Sequence, residues 1–576
     1  MKKLLCIIFA VVSLAVSAAV ERHFIWPEGK MPYSDQKHLI AAMTDVKNFK
    51  ADEWRHPYLE WSKPPAADKK NGACVILISG GGYGCCCDVG HVRNWEKRLT
   101  EEGVTCVNFV YRTPRPNGLP IWQCAWADAQ RAVRVVRSEA AKRGFDPNRI
   151  GTMSMSAGSH LATLLATSSM TPAYEPVDDL DKAPCNINFA CTFAIAYALT
   201  DGVGCPNMRE GDSIDTKLDS VFKFDKQTCP MWMSHGGRDV YSPMASTLVY
   251  RKLRQMKIPA EVHIYPDKGH AVLGFDRAVE FMRQMQYFGP LAKSQGLADR
   301  YHSDKDRATY EKVEIWPKGK MPYLQTKVKQ CEPFLEWHTP KKLTTKGIQI
   351  IWSGGSYMGN STSSFEVAPF RRYLNEKGMT VVTVQYRTPR PAAPLAKHTT
   401  AWADIQRAIR IVRSEAEKRG LDPNRIGIMG SSAGGHLALM GATSSCRKAY
   451  GGIDKIDNFP CNPQWAVAIY PAYALTDGLD HPNSKGGNED SARLAPEFSF
   501  DLKTPPILFI HGDKDDWAAM NSVKAWEQLS RMGIQGELHT LALRPHCFQG
   551  WAVPGTGSHT WMDRIWEFMQ SKGFNR

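Results

Sequence analysis

The stretch GIMGSSAGGHLA, residues 427–438, joins a strand-like apolar run to a helix-forming run through a turn of small residues. Ile426–Met429 predicts a buried strand, and Leu437–Leu439 predicts the opening of a helix. Between them, Gly430–Gly434 fits the G-x-S-x-G pattern of a strand–turn–helix motif that holds its central residue, Ser432, out from the turn. The helix N-terminus that follows favours negative charge beside this serine.

The same turn occurs 276 residues earlier as GTMSMSAGSHLA, residues 151–162, so the chain contains a repeat. Windows of 38 residues that begin at Ala125 and Ala401 share 29 identical positions. A period of this size is too long for a solenoid and fits a domain that buries its own core. We therefore expect a tandem duplication, with a first domain over 20–292, a linker over 293–311, a second domain over 312–576 and a surface insertion near 34–51.

Strand-like and helical patterns alternate along both copies. In the second copy, the helical pattern Ala401–Arg419 places Ile405, Ile409 and Val412 on one face and stops at Gly420. Such alternation predicts an α/β fold in which each domain has a mostly parallel sheet with helices on both faces. Strands of the second copy are predicted at Ile348–Trp352, Thr380–Gln385, Ile426–Met429, Trp465–Tyr470, Ile507–His511 and Glu537–Leu541.

An acid and a histidine follow each turn in the order of a Ser–Asp–His triad. The motif HGDKD places Asp515 just past a predicted strand, and GELHTLALRPH places His546 after the next one. The first copy offers Ser156, Asp239 and His270, each 276 positions before its counterpart. In such a triad the imidazole takes the serine proton, and the acid orients the ring and stabilises its charge. A lone acid or histidine here would be an ordinary loop residue, but the shared order and spacing favour the triad.

A tetrahedral intermediate needs backbone N–H groups to stabilise its oxyanion. The residue after the serine supplies one donor, and a glycine-rich loop after an early strand supplies others. A phosphate loop is the rival interpretation, but no G-K-[ST] follows, and a loop that only makes a tight turn stays open. The candidate donors are the amides of Gly81, Gly82 and Ala157 in the first copy and of Gly355, Ser356 and Ala433 in the second.

The two copies differ around the nucleophile. Ser154 of the first copy replaces Gly430, which we expect to cost about 1 kcal/mol at most if φ is negative there. The hydroxyl of Ser154 has room to bond locally, while Met155 is a bulky neighbour of the first site. His559, in the late stretch GTGSHTW, is a rival to His546, which we favour because it keeps the repeat register.

Four further side chains have two interpretations each. His160 and His436 follow the serines inside the helix start, and we expect them to pack rather than to act as bases. Trp517 and Trp551 lie near the predicted acid and base loops, where they would stack on a sugar or a phenolic acyl group. Filling the core is an equally good interpretation of both tryptophans.

The N-terminus has the pattern of a signal peptide. Lys2 and Lys3 precede the apolar run Leu4–Val16 and the small residues Ser17–Ala19. We predict cleavage after residue 18 or 19 and a secreted or periplasmic protein, and an uncleaved anchor is the alternative. The run is short for a membrane span, and no second long apolar segment follows, so we expect no span in the mature chain.

Composition narrows the choice of partners. With 43% apolar and 23% charged residues the chain is typical of a soluble globular protein. The net charge of +14 favours acidic polymers such as glycans, whereas the absence of a basic stripe with interleaved aromatics argues against nucleic acid. The run Cys85–Cys87 lacks the spacing and histidines of a zinc site, so no metal and no cofactor is expected. Most cysteines are read as core residues or disulfide halves, and the oligomeric state is left open.

Several motifs resemble those of a known superfamily. They are SGGGY at Ser79, YRTPRP at Tyr111 and Tyr386, DPNRIG and SAG-x-HLA in both copies, and HGGRD and HGDKD. Both copies resemble α/β-hydrolases and are similar to exported bacterial carbohydrate esterases of the acetyl-xylan-esterase-like and feruloyl-esterase-like group. The resemblance implies hydrolysis of an ester, commonly an acyl group on a plant polysaccharide.

Two other functions stay open. A serine peptidase of the same fold is one, although a large extra gating domain is not visible in the sequence. The other is a single catalytic domain paired with a glycan-binding or structural copy, with the first copy as the non-catalytic one. No long apolar insert separates Gly434 from Asp515, which favours an open site for polymer or small ester substrates.

Overall fold

Each half of the chain folds its apolar runs into strands, within the residues that the computed structural model describes: 21–35, 56–86, 90–200, 216–288, 310–476, 492–548 and 560–574. The strands of the first half are β1 (Glu21–Phe24), β2 (Tyr58–Trp61), β3 (Cys74–Ile78), β4 (Thr105–Val110), β5 (Ile150–Met155), β6 (Phe189–Phe193), β7 (Leu199–Thr200), β8 (Lys217–Leu218), β9 (Met231–Gly236) and β10 (Ala260–Tyr265). Those of the second half are β11 (Tyr310–Glu314), β12 (Phe334–His338), β13 (Ile348–Trp352), β14 (Thr380–Gln385), β15 (Ile426–Ser431), β16 (Trp465–Ile469), β17 (Leu475–Thr476), β18 (Arg493–Leu494), β19 (Ile507–Gly512) and β20 (Gly536–Leu541).

Helices connect the strands. Those of the first half are α1 (Gly90–Glu101), α2 (Gln123–Ser138), α3 (Ala140–Arg143), α4 (Ala157–Thr167), α5 (Met244–Gln255) and α6 (Phe275–Gln284). Those of the second half are α7 (Ala368–Glu376), α8 (Thr399–Ala416), α9 (Ala433–Thr443), α10 (Met520–Arg531) and α11 (Thr560–Ser571). The predicted helix 401–419 is α8 followed by a 3₁₀ turn, which ends at Gly420 in a left-handed conformation with φ 71°.

The inner strands of each half are parallel, which confirms the predicted α/β fold. The first half has the order β1-β2-β4-β3-β5-β6-β9-β10, and the second repeats it as β11-β12-β14-β13-β15-β16-β19-β20. The two outermost pairings of each order are antiparallel, and the other pairings within it are parallel. Two short antiparallel pairs, β7 with β8 and β17 with β18, form separate two-stranded sheets. Because carboxyl ends of parallel strands meet at one edge, the residues that follow β5, β9 and β10, or β15, β19 and β20, come close together.

The two half-sheets join into one sheet of 16 strands. The junction is an antiparallel pairing of β10 with β20, in which His263 lies opposite His539 and Ile264 opposite Leu538. This pairing leaves only β1 and β11 as outer edges, and both are short and mostly exposed, which limits further strand addition. The sequence predicted two sheets and gave no sign of their union.

The core lies on both faces of this sheet. One cluster of buried residues runs through both halves and includes side chains of α2, α4 and α5 and of α8, α9 and α10. Alternate residues of the same strands point to the opposite face, where α1 and α6 cover the first half and α7 and α11 cover the second. The two halves therefore share one continuous apolar layer under the joined sheet.

The predicted strands of the second copy agree with β13, β14, β15, β16, β19 and β20 to within two residues at each end. The predicted linker extends two residues too far, because β11 begins at Tyr310. Its side chains are polar and exposed, so its sequence looked like a loop. The signal-peptide prediction and nearly all of the predicted insertion lie outside the described residues.

No disulfide joins the described cysteines to one another, and most of them are buried, as expected for small core residues. Among the described helices, none combines the length and the apolar character needed to cross a bilayer.

Candidate active site

Both predicted nucleophiles stand on a strained turn between a strand and a helix. Ser432 has φ 56° and ψ −121°, and Ser156 has φ 58° and ψ −124°. A non-glycine residue in such a conformation costs about 1–3 kcal/mol and is typical of functional sites. A Cβ added at Gly434 would lie 2.5 Å from the Ser353 carbonyl oxygen, so glycine is required where the helix meets the neighbouring strand.

The three predicted catalytic side chains of the second half are joined by hydrogen bonds. Nε2 of His546 lies 2.8 Å from Oγ of Ser432, and Nδ1 donates to Oδ2 of Asp515 at 2.7 Å. The acid carboxylate is fully buried, whereas the imidazole side chain is 19% exposed. This continuous relay from hydroxyl to buried carboxylate is the arrangement that activates a serine nucleophile.

A second histidine, which sequence reasoning missed, holds the acid. Nε2 of His511 lies 3.1 Å from Oδ2 of Asp515, and Nδ1 of His511 lies 2.8 Å from Oγ of Ser522. The backbone N–H of Trp517 also donates to the acid, at 2.7 Å. His511 opens the repeated motif HGDKD, so its recurrence as His235 in HGGRD was the available signal.

These contacts shift the protonation equilibria of the relay. Burial raises the pKa of Asp515, but hydrogen bonds from His511 and His546 outweigh it and hold that pKa well below 3.8. Burial lowers the pKa of His546, but its hydrogen bonds to Asp515 and Cys547 outweigh that effect and raise the pKa to about 9. The acid therefore stays ionised and stabilises a charged imidazolium.

The glycine-rich loop lies beside the nucleophile in the conformation expected of a backbone donor site. Gly355 has φ 102°, Ser356 has φ 55°, and a Cβ at Gly354 would lie 2.6 Å from Cβ of Ser432. Within the described residues, the amides of Gly355, Ser356 and Ala433 have no hydrogen-bond acceptor. These three N–H groups are therefore available to a substrate oxygen.

A buried glutamate, also missed from the sequence, ties this loop to the catalytic base. Glu366 accepts hydrogen bonds from the Gly354 amide at 2.6 Å and from the Tyr470 hydroxyl at 3.0 Å. The Tyr470 ring packs against the His546 ring with centroids 4.8 Å apart. Since Gly354 donates to this carboxylate, its amide is not an oxyanion donor. Burial raises the pKa of Glu366.

The first half brings its predicted residues together less completely. Nδ1 of His270 donates to Asp239 at 2.8 Å, and Nε2 of His235 lies 3.3 Å from the same carboxylate. Among the described residues, no hydrogen bond joins His270 to Ser156. The loop repeats the second half, with φ 129° at Gly81 and 60° at Gly82, and the predicted donor Ala157 begins α4. The first half thus brings its predicted acid and histidine together, but the hydrogen bond from His270 to Ser156 is missing among the described residues.

The aromatic rings that pack against His546 and against His270 differ between the two halves. Ala194 occupies the position of Tyr470, at the end of the strand after the nucleophile. His270 lacks the corresponding ring, and its side chain is 29% exposed, compared with 19% for His546. The nearest aromatic contact of His270 is Tyr241, at 5.4 Å between ring centroids. Less packing leaves the first imidazole less constrained.

The Ser154 substitution is compensated by a change on the adjacent strand. Gly430 pairs with Trp352, and a Cβ there would lie 2.5 Å from Nε1 of that tryptophan and 2.2 Å from the Gly434 carbonyl oxygen. In the first half, Ser154 pairs with the smaller Ile78. The φ of Ser154 is not positive, and its hydroxyl bonds to Ser159 and to the Cys191 carbonyl, as expected.

The histidines inside the nucleophile helices support the loop rather than the chemistry. His436 is fully buried, and its Nδ1 lies 2.7 Å from the Tyr357 hydroxyl. His160 makes the same contact with Tyr83 at 2.8 Å, and burial lowers the His160 pKa to about 3. Each histidine thus anchors the tyrosine that directly follows the glycine-rich loop, Tyr83 in the first half and Tyr357 in the second.

Of the remaining candidates, only Trp517 lies in the described part of the chain. Its ring is partly exposed, and its centroid lies 4.6 Å from that of the Tyr473 ring and 6.2 Å from that of the His546 ring. Trp517 therefore lines the site. His559 and Trp551 lie outside the described residues.

A family model matches both halves. Residues 62–253 and 335–529 fit the model described as BD-FAE. The first region includes Ser156 and Asp239 and the second includes Ser432 and Asp515, whereas the two predicted catalytic histidines, His270 and His546, lie beyond the matched ends.

Individual proteins that resemble this chain share about a quarter of the aligned residues with it. The acetylxylan esterase of Xylanibacter ruminicola is 24% identical over 248 residues, which cover 41% of this chain and 46% of that protein. Endo-1,4-beta-xylanase B of Butyrivibrio fibrisolvens is 23% identical over 265 residues, or 42% of this chain and 40% of that protein. The chain thus spans less than half the length of these curated relatives. A solved acetyl ester-xyloside bifunctional hydrolase from Caldicellulosiruptor lactoaceticus is 25% identical, with 46% of this chain and 97% of that chain covered and a TM-score of 0.38.

Proposed function

Since the chain belongs to the BD-FAE family, with both halves matched, we propose that it is a serine carboxylic-ester hydrolase that removes acyl groups from carbohydrate. The single observation that supports the chemistry most strongly is the relay from Ser432 through His546 to Asp515. The curated relatives named for acetylxylan esterase and xylanase activities support a carbohydrate ester, of acetyl or feruloyl type, as the substrate.

Acylation follows from the geometry of the second site. Neutral His546 accepts the Ser432 proton through Nε2 as Oγ attacks the ester carbonyl. The tetrahedral oxyanion accepts hydrogen bonds from the free amides of Gly355, Ser356 and Ala433. The ionised Asp515 keeps the ring in the tautomer that presents Nε2 to the serine.

Acylation ends when the imidazolium gives its proton to the leaving alcohol, which departs and leaves an acyl-serine. Deacylation then repeats these steps with water as the nucleophile. A water molecule then loses a proton to Nε2 of His546 and attacks the acyl carbon. The second tetrahedral intermediate then collapses, its bond to Oγ of Ser432 breaks, and the imidazolium returns its proton to that oxygen. This releases the carboxylic acid and restores Ser432, and neither half-reaction needs a metal or a cofactor.

We further propose that the second site carries most of the turnover. The missing hydrogen bond between Ser156 and His270 favours a slower first site, or a first half that serves as a binding partner of the second. We also propose, from the leader-like first 19 residues, that the protein is exported. Sequencing the N-terminus of the secreted protein tests this, with residue 19 or 20 expected first.

Assays of the full chain on 4-nitrophenyl acetate, acetylated xylan and a proline peptide test the proposal. We expect both esters to be hydrolysed and the peptide to be left intact. Ser432→Ala should abolish most ester turnover, whereas Ser156→Ala should remove a minor part. Peptide cleavage without ester cleavage, or full activity in Ser432→Ala, would contradict the proposal.

A further inference from the structure

Two aromatic rings, those of Trp517 and Tyr473, lie between His546 and the ammonium group of Lys397. We call these rings and Lys397 the wall of the second site. The Trp517 ring contacts His546, and it packs edge-on against Tyr473 at 4.6 Å. Nζ of Lys397 lies 4.2 Å from the centroid of the Tyr473 ring. An ammonium over a tyrosine face is held by cation–π attraction. The ammonium group is therefore fixed two rings away from the reacting centre.

Two charges of opposite sign, those of Arg390 and Glu497, act on the ammonium group of Lys397. Within the described residues, neither Lys397 nor Arg390 forms an ion pair or a hydrogen bond. Lys397 is half-buried, and its pKa is lowered by burial and then by the nearby charge of Arg390. Lys397 is thus a partly desolvated cation without an ion-pair partner among the described residues, a situation that an added anion relieves.

Glu497, an acid whose charge acts on Lys397, is engaged by two histidines. Glu497 accepts a hydrogen bond from Nε2 of His436 at 2.9 Å, and Nδ1 of His398 lies 3.7 Å from the same oxygen. Lys397 and His398 directly precede α8, whose N-terminus adds positive potential. Glu497 is thus engaged by two histidines, while Nζ of Lys397 lies over the Tyr473 ring.

The first half has a different wall at the same place. In the 276-residue register, Ile121 replaces Lys397, Trp122 replaces His398, and Val221 replaces Glu497. The helix starts confirm this register, because Trp122 precedes α2 as His398 precedes α8. Tyr241 takes the place of Trp517 and hydrogen-bonds to the Tyr197 hydroxyl at 3.0 Å. The tyrosine (Tyr197 or Tyr473) and the second arginine of the YRTPRP motif (Arg115 or Arg390) are common to both sites, whereas the position of Lys397 is uncharged in the first half.

We propose that the second active site selects esters that carry a carboxylate, which binds to Lys397, while the first site favours uncharged esters. This inference rests on the proposed function and specifies its substrate class. For a carbohydrate ester, the matching chemistry is an acylated glycan with acidic sugars or an acyl group that itself bears a carboxylate. A duplicated hydrolase with two such walls covers both charged and neutral esters.

Matched probes in the full chain test the proposal. Ser156→Ala isolates the second site, and Ser432→Ala isolates the first. The ester 4-acetoxybenzoate and its methyl ester place the charge on the alcohol side. Mono-4-nitrophenyl succinate and 4-nitrophenyl pentanoate place it on the acyl side. The readout is the ratio of kcat/KM for the anionic ester to that for the neutral ester, so effects common to both esters cancel.

In the Ser156→Ala background, we expect this ratio to fall about tenfold with Lys397→Gln for at least one pair, mainly through KM. Lys397→Arg should retain the ratio, and about 0.5 M NaCl should lower it in the parent. Lys418→Gln, which removes an exposed lysine paired with Glu415, is the matched control and should leave the ratio unchanged. In the Ser432→Ala background, Ile121→Lys should raise the ratio.

An unchanged ratio in Lys397→Gln for both pairs would overturn the inference while leaving ester hydrolysis intact. Failure of the parent chain to turn over any of the four esters would contradict the proposed function as well. The two failures are therefore distinguishable in one set of assays.

Discussion

The joined sheet makes the second acid loop depend on the first half of the chain. Asp513, two residues before the catalytic acid, is 7% exposed and accepts hydrogen bonds from Tyr250 at 3.0 Å and Arg254 at 2.8 Å, both on α5. Arg254 also donates to the Asp513 carbonyl oxygen. The symmetry-related positions are Gly237 and Ser530, which line a cavity of about 200 Å³ instead. The contact therefore supports only the second acid loop.

We expect Arg254→Met to destabilise the protein by about 3 kcal/mol at neutral pH. Removal of one partner of a buried ion pair costs about 3–5 kcal/mol, and the retained Tyr250 hydrogen bond places this case at the lower end. Burial already raises the pKa of Asp513, and loss of the guanidinium raises it further. A carboxyl with a raised folded pKa destabilises above its unfolded value of about 3.9, and that effect fades as pH falls. The deficit should therefore shrink between pH 7.5 and pH 5.

Urea unfolding followed by tryptophan fluorescence measures this deficit. A double-mutant cycle with Asp513→Asn isolates the pair, because the asparagine leaves no buried charge and Arg254→Met should then cost about 1 kcal/mol or less. Lys252→Met, an exposed change on the same helix, is the control and should lie within about 0.5 kcal/mol of the parent. A deficit below about 1 kcal/mol, equal deficits at both pH values or additivity with Asp513→Asn would refute this reasoning.

Three further predictions concern the second site, measured in the Ser156→Ala background. Asp515→Asn should lower kcat about 10⁴-fold on 4-nitrophenyl acetate because His546 loses the carboxylate that sets its tautomer; a loss below tenfold would contradict the assigned role. The kcat/KM for this uncharged ester should rise with pH, with an apparent pKa above 6.5 and toward 9, because only neutral His546 accepts the serine proton; a profile that is flat above pH 6.5 would contradict the pKa assignment. Gly430→Ser should destabilise the chain by about 1–3 kcal/mol, since its Cβ would collide with Gly434 and Trp352, whereas Ser154→Gly should be tolerated; equal melting temperatures for the two variants would contradict this packing argument.

Much of each half could be predicted from local sequence. The strand before Ser432 and the helix after it are continuous apolar segments. The small residues between them allow a sharp turn from the strand into the helix. The proximity of the serine, the acid and the histidine then follows from parallel strands whose carboxyl ends share an edge. The family match confirms the resemblance to carbohydrate esterases that the motifs indicated.

Contacts between distant segments could not be predicted in this way. Pairing of β10 with β20 joins residues 276 positions apart, and neither strand carries a pattern that distinguishes an inner strand from an edge. Glu366 and Tyr470 lie more than 100 residues apart, and only the fold shows that together they link the oxyanion loop to His546. The first half has Ala194 in place of Tyr470, a change outside every motif, so its effect on the packing of His270 could not be predicted.

Covalent labelling with diethyl 4-nitrophenyl phosphate, followed by peptide mass spectrometry, tests the central claim most directly. We expect the diethylphosphoryl group on Ser432 first and on Ser156 more slowly, with loss of ester hydrolysis in step with the first label. His546→Ala should prevent labelling of Ser432. An unlabelled Ser432 in an inactivated protein would contradict the assignment of this serine as the nucleophile.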